Sequence, residues 1–108
     1  LVVRKANRKR IGTRDEGLIE ELLSPDLSGN FEMFLTRISP GSRSNGNLNR
    51  GVEEEAYIIK GGLKIKIGKK AFTLHQGDSF RLNDKPFSWE NDGTETTAIL
   101  WVTSPPIY

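Results

Sequence analysis

The stretch NRGVEEEAYIIKGGLKIKIG, residues 49–68, decides the fold of this chain. Residues 54–60 are rich in β-branched and aromatic side chains, which predicts a strand, and the paired glycines that follow predict a bend. In residues 63–67 three apolar side chains alternate with two lysines, as is typical of a strand with one buried face. Three carboxylates, at positions 53–55, precede this core segment, and a buried carboxylate needs a partner. The stretch therefore predicts two consecutive strands and a charged group to accompany a glutamate.

The rest of the chain repeats the same pattern of short apolar runs and polar turns. Further strands are predicted at residues 31–38, 71–74, 80–82, 87–91 and 96–102. The dipeptide Asp92-Gly93 is a hairpin signal between the last two. Strands of this length, separated by turns every 8 to 12 residues, predict an all-β sandwich or barrel with little helix.

Residues 17–23, GLIEELL, fit two kinds of secondary structure. Thr13 and Glu16 form a capping-box pattern, and the leucines and isoleucine that follow have helical spacing. The same residues also alternate well enough for a strand. We favour a strand because the neighbouring segments are β.

Composition limits the class of protein. At 108 residues the chain fits one domain, and the absence of cysteine favours a reducing, cytoplasmic compartment. The longest apolar run, residues 98–102, is far shorter than the roughly 20 residues of a membrane span, so no membrane partner is expected.

Charge is unevenly distributed along the chain. Residues 1–10 hold five basic side chains and no acid, so this segment has a charge of +5. Because the whole chain has a net charge of +2, the remaining residues carry −3. We therefore divide the chain into a basic arm or linker strand, residues 1–12, and a domain, residues 13–108, whose body does not have the charge of a nucleic-acid binder. For the arm, a solvated linker or first strand is favoured over a phosphate-contacting segment. The sequence has no initiating Met, and we expect it to be a fragment of a longer protein.

Two motifs, in order, resemble those of the cupins. Glu54 is followed by six residues and Gly61, within an aromatic-aliphatic-aliphatic-x-Gly run at residues 57–61. The second motif is matched by Gly77, Asp78, Pro86 and Asn91. The resemblance extends over residues 30–108 and implies an antiparallel cupin-type jelly roll, also called a double-stranded β-helix barrel.

The resemblance does not extend to the metal ligands. Cupins hold a metal with two histidines and the glutamate of the first motif and one histidine of the second. In this sequence the histidine positions fall on Leu48, Arg50 and Phe87, and Glu54 alone is retained. A divalent ion needs three or four N, O or S donors at about 2 Å. We therefore predict no metal and no cofactor, and we interpret His75 as an exposed turn residue.

Arg50 is the candidate partner of Glu54, which we expect to point into the barrel with Ala56 and Ile58. Three interpretations are open. The two residues form an internal ion pair that fills the former metal site; or Arg50 presents its guanidinium to a carboxylate or phosphate of an effector while Glu54 orients it; or the register is off by one and both side chains face solvent.

The remaining candidates are aromatic or charged. Phe87 and Trp89 share a strand face and are either core residues or an aromatic wall for an apolar or cationic ligand. The predicted ligand-binding set is therefore Leu48, Arg50, Glu54, Phe87 and Trp89. Ordinary surface charges are expected at Glu53, Glu55, Lys60, Lys64, Lys66, Lys69 and Lys70.

The ends of the chain, VVRKANRKRIG at residues 2–12 and LWVTSPPIY at residues 100–108, resemble cupin domains that follow a helix-turn-helix in bacterial transcriptional regulators. The resemblance implies a homodimeric domain that senses a small molecule and contacts DNA through a helix-turn-helix domain absent from this chain. The alternatives are a stand-alone small cupin enzyme, of isomerase or oxygenase type, and a filled structural or dimerisation barrel. An enzyme is disfavoured because one histidine and no cysteine allow no histidine-based triad, although Glu54 with Tyr57 or Asp78 could form an acid–base pair.

Overall fold

The computed structural model describes residues 1–11 and 17–107, and within them the chain forms eight β-strands and one turn of 3-10 helix at Lys5–Asn7. The strands are β1 (Leu18–Leu22), β2 (Glu32–Ile38), β3 (Glu53–Lys60), β4 (Leu63–Ile67), β5 (Lys70–Leu74), β6 (Ser79–Arg81), β7 (Phe87–Glu90) and β8 (Thr97–Ser104). The predicted all-β fold is confirmed, and β1 confirms the strand interpretation of residues 17–23. The capping-box pattern at residues 13–16 lies outside the described residues.

The strands form two antiparallel sheets. The larger sheet has the order β1-β2-β8-β3-β6 and the smaller has the order β5-β4-β7. The chain passes repeatedly between the two sheets, so that β3 and β4 are neighbours in sequence but belong to different sheets, as in a jelly roll. This arrangement encloses one core between the inner faces of the sheets.

The hairpin predicted at Asp92-Gly93 is wrong, because β7 pairs with β4 whereas β8 pairs with β2 and β3. The buried side chain of Asn91 explains the crossing. Its Nδ2 donates hydrogen bonds to the carbonyl oxygens of Ile38, at 2.9 Å, and Glu95, at 3.0 Å, and its Oδ1 accepts one from the Gly93 N–H. Asn91 thus fixes the segment that carries the chain from one sheet to the other.

Strand β3 alternates as predicted. Its even-numbered residues Glu54, Ala56 and Ile58 are buried, whereas Tyr57 and Ile59 are exposed on the outer face. Ala56 and Ile58 belong to a buried hydrophobic cluster with residues from both sheets. The cluster comprises Phe34, Ile38, Ala56, Ile58, Leu63, Ile65, Leu82, Phe87, Trp89, Ile99 and Trp101. Glu54 therefore enters the barrel at the end of a strand that is otherwise apolar on its inner face.

Gly61, the glycine of the first motif, marks the point at which the chain leaves β3. Its φ is +79°, in the region that favours glycine. A Cβ atom here would lie 2.9 Å from Thr97 Oγ1 and 3.0 Å from the carbonyl oxygen of Thr96. Both the backbone conformation and the close approach of β8 therefore require a glycine.

The loop between β2 and β3 runs along the free side of β7. Leu48 exchanges two backbone hydrogen bonds with Phe87, at 2.6 and 2.8 Å, and Arg43 forms an isolated bridge with Glu90. The loop thus extends the smaller sheet. It delivers Leu48 and Arg50 to the end of the barrel where β3 begins.

The end of the basic arm extends the larger sheet beyond β1. The Leu22 N–H donates to the carbonyl oxygen of Lys9, at 2.8 Å, and the Ile11 N–H donates to that of Glu20, at 3.0 Å. Residues 9–11 therefore behave as a short edge segment, consistent with a linker strand, while the boundary between residues 12 and 13 stays a prediction. Within the described ranges, no helix is long and apolar enough to cross a membrane.

Candidate functional site

The inner face of the larger sheet carries three cross-strand rows beneath Arg50. Glu54 and Glu32 each pair in register with Thr103, and Ala56 and Phe34 each pair with Trp101. The third row includes Thr36, which pairs with Glu20 on one side and Ile99 on the other. An aromatic row is thus flanked on each side by a row that contains buried carboxylates.

Arg50 spans these rows. Its Nη1 lies 3.1 Å from Glu54 Oε1, and its Nη2 lies 3.9 Å from Glu20 Oε1. Its Cζ lies 5.4 Å from the ring centroid of Phe34 and 5.5 Å from that of Trp101, within cation–π range. The predicted Arg50–Glu54 ion pair is present, but the guanidinium also approaches a second carboxylate that sequence reasoning did not assign.

Glu54 and Arg50 do not face solvent together, as one interpretation of the sequence required. The Glu54 side chain is 2% exposed and that of Arg50 is 21% exposed. Arg50 is accessible along one edge while its charge lies over the barrel interior. The register placed on the first motif is therefore correct.

The electrostatics of Glu54 reflect this crowded position. Burial raises the pKa of Glu54 above its ordinary value, Arg50 opposes the rise, and the nearby charges of Glu20 and Glu32 add to it. On the outer face of β1 the opposite holds, since the hydrogen bond from Arg37 lowers the pKa of Glu21. The buried position of Glu54 thus disfavours its ionised form, whereas the ion pair with Arg37 favours the ionised form of Glu21.

Glu54→Gln should change the pH dependence of stability with a defined sign. A carboxyl whose pKa is raised on folding stabilises the protein below its unfolded pKa, and this stabilisation is lost as pH rises through the folded pKa. The variant lacks this loss, so its free energy of unfolding should improve relative to the wild type as pH rises from about 4.5. Urea denaturation across this range measures the difference.

Glu21→Gln provides a control of opposite sign. Because the pKa of Glu21 is lowered on folding, its contribution is present above the unfolded pKa and is lost on acidification. Glu21→Gln should therefore be most destabilised at neutral pH and approach the wild type as pH falls. Parallel pH profiles for the two variants would contradict the assignment of Glu54 to the interior.

A cavity of about 280 Å³ opens beside Arg50. Its lining is shared by β1, β2, the β2–β3 loop, β7 and β8 and comprises Leu18, Glu20, Thr36, Ile38, Ser44, Asn45, Leu48, Asn49, Arg50, Trp89 and Trp101. Two buried polar atoms of lining residues, Thr36 Oγ1 and Trp101 Nε1, have no hydrogen-bond partner in the part of the chain that the structure describes. Both atoms are buried against the protein and are not exposed to the cavity, so they represent a cost to stability rather than contacts for a ligand.

The predicted ligand-binding residues take different positions around this cavity. Leu48, Arg50 and Trp89 line it. Glu54 does not line the cavity but contacts Arg50, which does. Phe87 is 1% exposed and is a core residue, with its ring centroid 6.2 Å from that of Trp101. The alternative of an aromatic wall thus has a structural counterpart in Trp89 and Trp101 rather than in Phe87.

A larger depression, of about 670 Å³, lies on the outer side of the smaller sheet. It is lined by exposed side chains such as Lys64 and Lys66, and Lys64 is already paired with Asp92 at 3.0 Å. It is an open surface groove that borders the cavity beside Arg50 at Ser44, Asn45 and Trp89 but is not lined by Arg50 itself. We therefore place the candidate site in the smaller, interior cavity.

The former metal position does not fit a metal ion. Arg50, Leu48 and Phe87 provide no ligand atom, and Glu54 is engaged by a guanidinium. Across residues 1–11 and 17–107 no group of three His, Cys, Asp or Glu side chains could hold a metal.

The other candidates lie away from the cavity. His75 is exposed in a turn, where its N–H donates to Asp78 Oδ2 at 2.7 Å. Tyr57 lies on the outer face of β3, opposite Glu54, so these two residues do not form the acid–base pair considered above. The glutamates and lysines expected at the surface are all exposed.

Sequence reasoning missed four residues of the site, namely Glu20, Thr36, Phe34 and Trp101. Glu20 could have been found, because it alternates with Leu18 and Leu22 once β1 is taken as a strand. A glutamate flanked by inward-facing leucines is the signal. The other three became assignable only with the pairing of β2 and β8.

The comparisons with known proteins agree with this architecture. The family model for the cupin domain matches residues 34–103, and the chain therefore belongs to the cupin family. Among curated proteins, none matches the sequence. The metal ligands of the family are replaced here as described above.

Three solved structures illustrate the relationship. The Cupin_2 domain of an XRE-family transcriptional regulator from Enterobacter cloacae is 26% identical, with a TM-score of 0.68 over 84% of this chain and 99% of that one. An HTH_3-family transcriptional regulator from Vibrio cholerae is 19% identical, with a TM-score of 0.67 over 83% of this chain and 52% of that one. The polyketide cyclase RemF from Streptomyces resistomycificus is 16% identical, with a TM-score of 0.80 over 98% and 80%. The last two show the fold alone.

Proposed function

We propose that this cupin domain binds a small molecule in its barrel and is the sensing part of a cytoplasmic helix-turn-helix transcriptional regulator. In this proposal DNA is contacted by a domain outside the chain. The observation that carries it is the cavity beside Arg50, which is lined by residues of both sheets and of the β2–β3 loop. The 26% identity to the cupin domain of an XRE-family regulator supports the regulatory context.

Strand β1 supplies a route from the cavity to the N-terminal segment. The Glu20 side chain lines the cavity, and its backbone carbonyl accepts the hydrogen bond from Ile11. On the outer face, Glu21 pairs with Arg37 and lies 4.0 Å from Arg8. A ligand that displaces Glu20 would therefore also move the edge segment that leads towards residue 1.

A ligand screen tests the binding step. Small amines, carboxylates and sugars are added to the purified chain, and binding is detected as a rise in the melting temperature. A ligand present at 100 times its Kd should add about 2.7 kcal/mol to the free energy of unfolding. Leu48→Trp, which enlarges a residue of the cavity lining, should abolish the response.

Leu27→Trp is the matched control, since Leu27 is 42% exposed and does not line the cavity. A ligand that binds both variants equally would place the site elsewhere. If no compound stabilises the wild type, the alternative of a filled structural barrel replaces the sensor.

Hydrogen exchange tests the transmission step. With a hit from the screen bound, the amides of Ile11 and Leu22, which hold the edge segment to β1, should change their exchange rates. The amide of Phe72, on the far edge of the smaller sheet, serves as the reference. A change at the cavity without a change at Ile11 and Leu22 would contradict the proposed route.

We also propose that the domain forms a homodimer through the outer face of the larger sheet. Four exposed apolar side chains lie on this face, from Ile19 on β1 to Tyr57 and Ile59 on β3 and Val102 on β8. The proposed partner is a second copy of the chain, and in a symmetric dimer this face would bury the same residues on both subunits. Sedimentation should give the mass of two chains, and a monomer at high concentration would exclude the dimer.

A further inference from the structure

We propose that the basic arm binds the phosphate backbone of duplex DNA through its arginine and lysine side chains. These are Arg4, Lys5, Arg8, Lys9 and Arg10. The inference rests on the regulatory function proposed above, and it adds a DNA contact within this chain to that of the DNA-binding domain outside it. The sequence alone favours a solvated linker over a phosphate-contacting arm, whereas three features of the structure favour the second interpretation.

The first feature is that the arm is anchored to the sheet. Residues 9–11 are held to β1 by two backbone hydrogen bonds, and Ile11 packs against the core cluster. The turn of 3-10 helix at Lys5–Asn7 ends at Arg8, whose N–H donates to the carbonyl oxygen of Lys5 at 3.4 Å. Charged side chains on an anchored segment lose less conformational freedom on binding than those on a free tail.

The second feature is a cluster of arginines where the arm meets the sheet. Arg37, on β2, donates a hydrogen bond to Glu21 on the outer face of β1, and the Arg8 guanidinium lies 4.0 Å from the same carboxylate. Arg10 is the backbone bridge partner of Glu21. The hydrogen bond from Arg37 lowers the pKa of Glu21, burial opposes this, and the charges of Arg37, Arg8 and Arg10 lower it further. Three guanidinium groups therefore act on one carboxylate, which leaves the cluster with surplus positive charge.

The third feature is the exposure of the other cations. Arg4, Lys5, Lys9 and Arg10 are all exposed, and none of them forms an ion pair with a residue in the described ranges. The remainder of the chain has a charge of −3, so positive charge is concentrated at this one edge. A guanidinium group matches the geometry of a phosphate with two parallel hydrogen bonds. A localised basic surface of this kind is typical of a nucleic-acid contact.

Duplex DNA is the partner that the proposed function supplies. In the proposed regulator the arm joins the sensor to the DNA-binding domain, so the phosphates that flank the bound site are the nearest anions. Contacts to phosphates position a protein on the duplex and carry no sequence information. The arm would therefore add affinity without changing which sequence is recognised.

The salt dependence of DNA binding tests this proposal with the chain as it stands. The Kd for a short, fluorescently labelled duplex of arbitrary sequence is measured by anisotropy between 50 and 200 mM salt. If the four exposed cations neutralise four phosphates, the logarithm of the association constant should fall with the logarithm of salt concentration with a slope of about −3.6. The Kd should accordingly rise about 100-fold over this range.

Two variants of equal net charge separate the arm from the overall charge of the chain. The substitutions of the arm variant are Arg4→Gln, Lys5→Gln, Lys9→Gln and Arg10→Gln. Those of the control variant, at exposed positions from the end of β3 to the start of β5, are Lys60→Gln, Lys66→Gln, Lys69→Gln and Lys70→Gln. Each set lowers the net charge from +2 to −2. The slope should approach zero in the arm variant and stay near about −3.6 in the control variant.

Glu21→Gln tests the arginine cluster. Removing this carboxylate releases the guanidinium groups that it holds, so the Kd for DNA at 50 mM salt should fall about fivefold. Glu55→Gln changes the net charge equally but releases Arg81 at the opposite edge of the larger sheet, so the Kd should stay close to that of the wild type. Melting temperatures above that of the assay show that each variant is folded.

The outcomes distinguish this proposal from the sensor function. Equal losses in the arm and control variants would assign binding to net charge and overturn the proposal, as would no binding at 50 mM salt. Tighter arm-dependent binding to vesicles of phosphatidylcholine and phosphatidylglycerol would assign the arm to a membrane surface and overturn it as well. Each of these results leaves the sensor standing, because the ligand screen tests the sensor separately.

Discussion

Arg50→Ala should lower the free energy of unfolding by about 3 kcal/mol at neutral pH. The substitution leaves Glu54 and Glu20 buried without the cation that they share, and it removes the guanidinium from above Phe34 and Trp101. Loss of one partner of a buried ion pair costs about 3–5 kcal/mol, and the partial exposure of Arg50 places this case at the lower end. Urea denaturation at pH 7 measures the change.

Arg81→Ala is the matched control. Arg81, on β6, pairs at the exposed surface with Glu55, which lies on the same strand as Glu54. An exposed pair contributes at most about 1 kcal/mol. The deficit of Arg50→Ala should also shrink on acidification, since a protonated Glu54 no longer needs a counter-charge. Equal costs for Arg50→Ala and Arg81→Ala would show that the guanidinium does not stabilise the barrel interior.

Phe34→Ala should cost about 4 kcal/mol, the largest effect that we expect from a single substitution. The Phe34 side chain is fully buried, and the Arg50 guanidinium lies over its ring. The ring also stacks on Trp101, with the ring centroids 6.0 Å apart and an angle of 9° between the ring planes. Removing the ring leaves a void between two sheets that cannot close without moving β2 or β8. The urea concentration at the midpoint of denaturation should fall, while the slope of the free energy of unfolding against urea concentration stays unchanged.

Phe31→Ala tests whether this loss comes from burial. Phe31 precedes β2 by one residue and is 55% exposed, so its replacement should change stability by no more than about 0.5 kcal/mol. If Phe34→Ala cost as little as Phe31→Ala, the aromatic row could not be the platform on which Arg50 lies.

Much of the fold was predictable because its signals are local. The alternation in β3 placed Glu54 inside and Glu55 outside, and the motif spacing placed Arg50 beside Glu54. Apolar alternation, turn residues and glycines with positive φ act over a few residues, so they can be recognised in a single sequence. The ion pair of Arg50 and Glu54 was one of three interpretations, and their separation of four positions brought it within reach of sequence reasoning.

The rest depended on contacts between distant segments. Glu20 and Arg50 are thirty positions apart in the sequence and meet because β1 pairs with β2, which no local pattern indicates. The same limit explains the error at Asp92-Gly93. A hairpin signal describes the turn, whereas the assignment of β7 and β8 to different sheets depends on their partners and on the buried Asn91.

Strand β1 has a property that follows from its sequence, LIEELL at residues 18–23. Shifting it by one residue against β2 would bring Ile19, Glu21 and Leu23 inside in place of Leu18, Glu20 and Leu22, an almost identical set. Hydrophobicity alone therefore does not distinguish between these two registers of β1. Arg50 on the inside and Arg37 on the outside break the degeneracy, because each selects one of two adjacent glutamates. The phase of β1 is thus specified by electrostatics, and it is open to bias by whatever charge occupies the barrel.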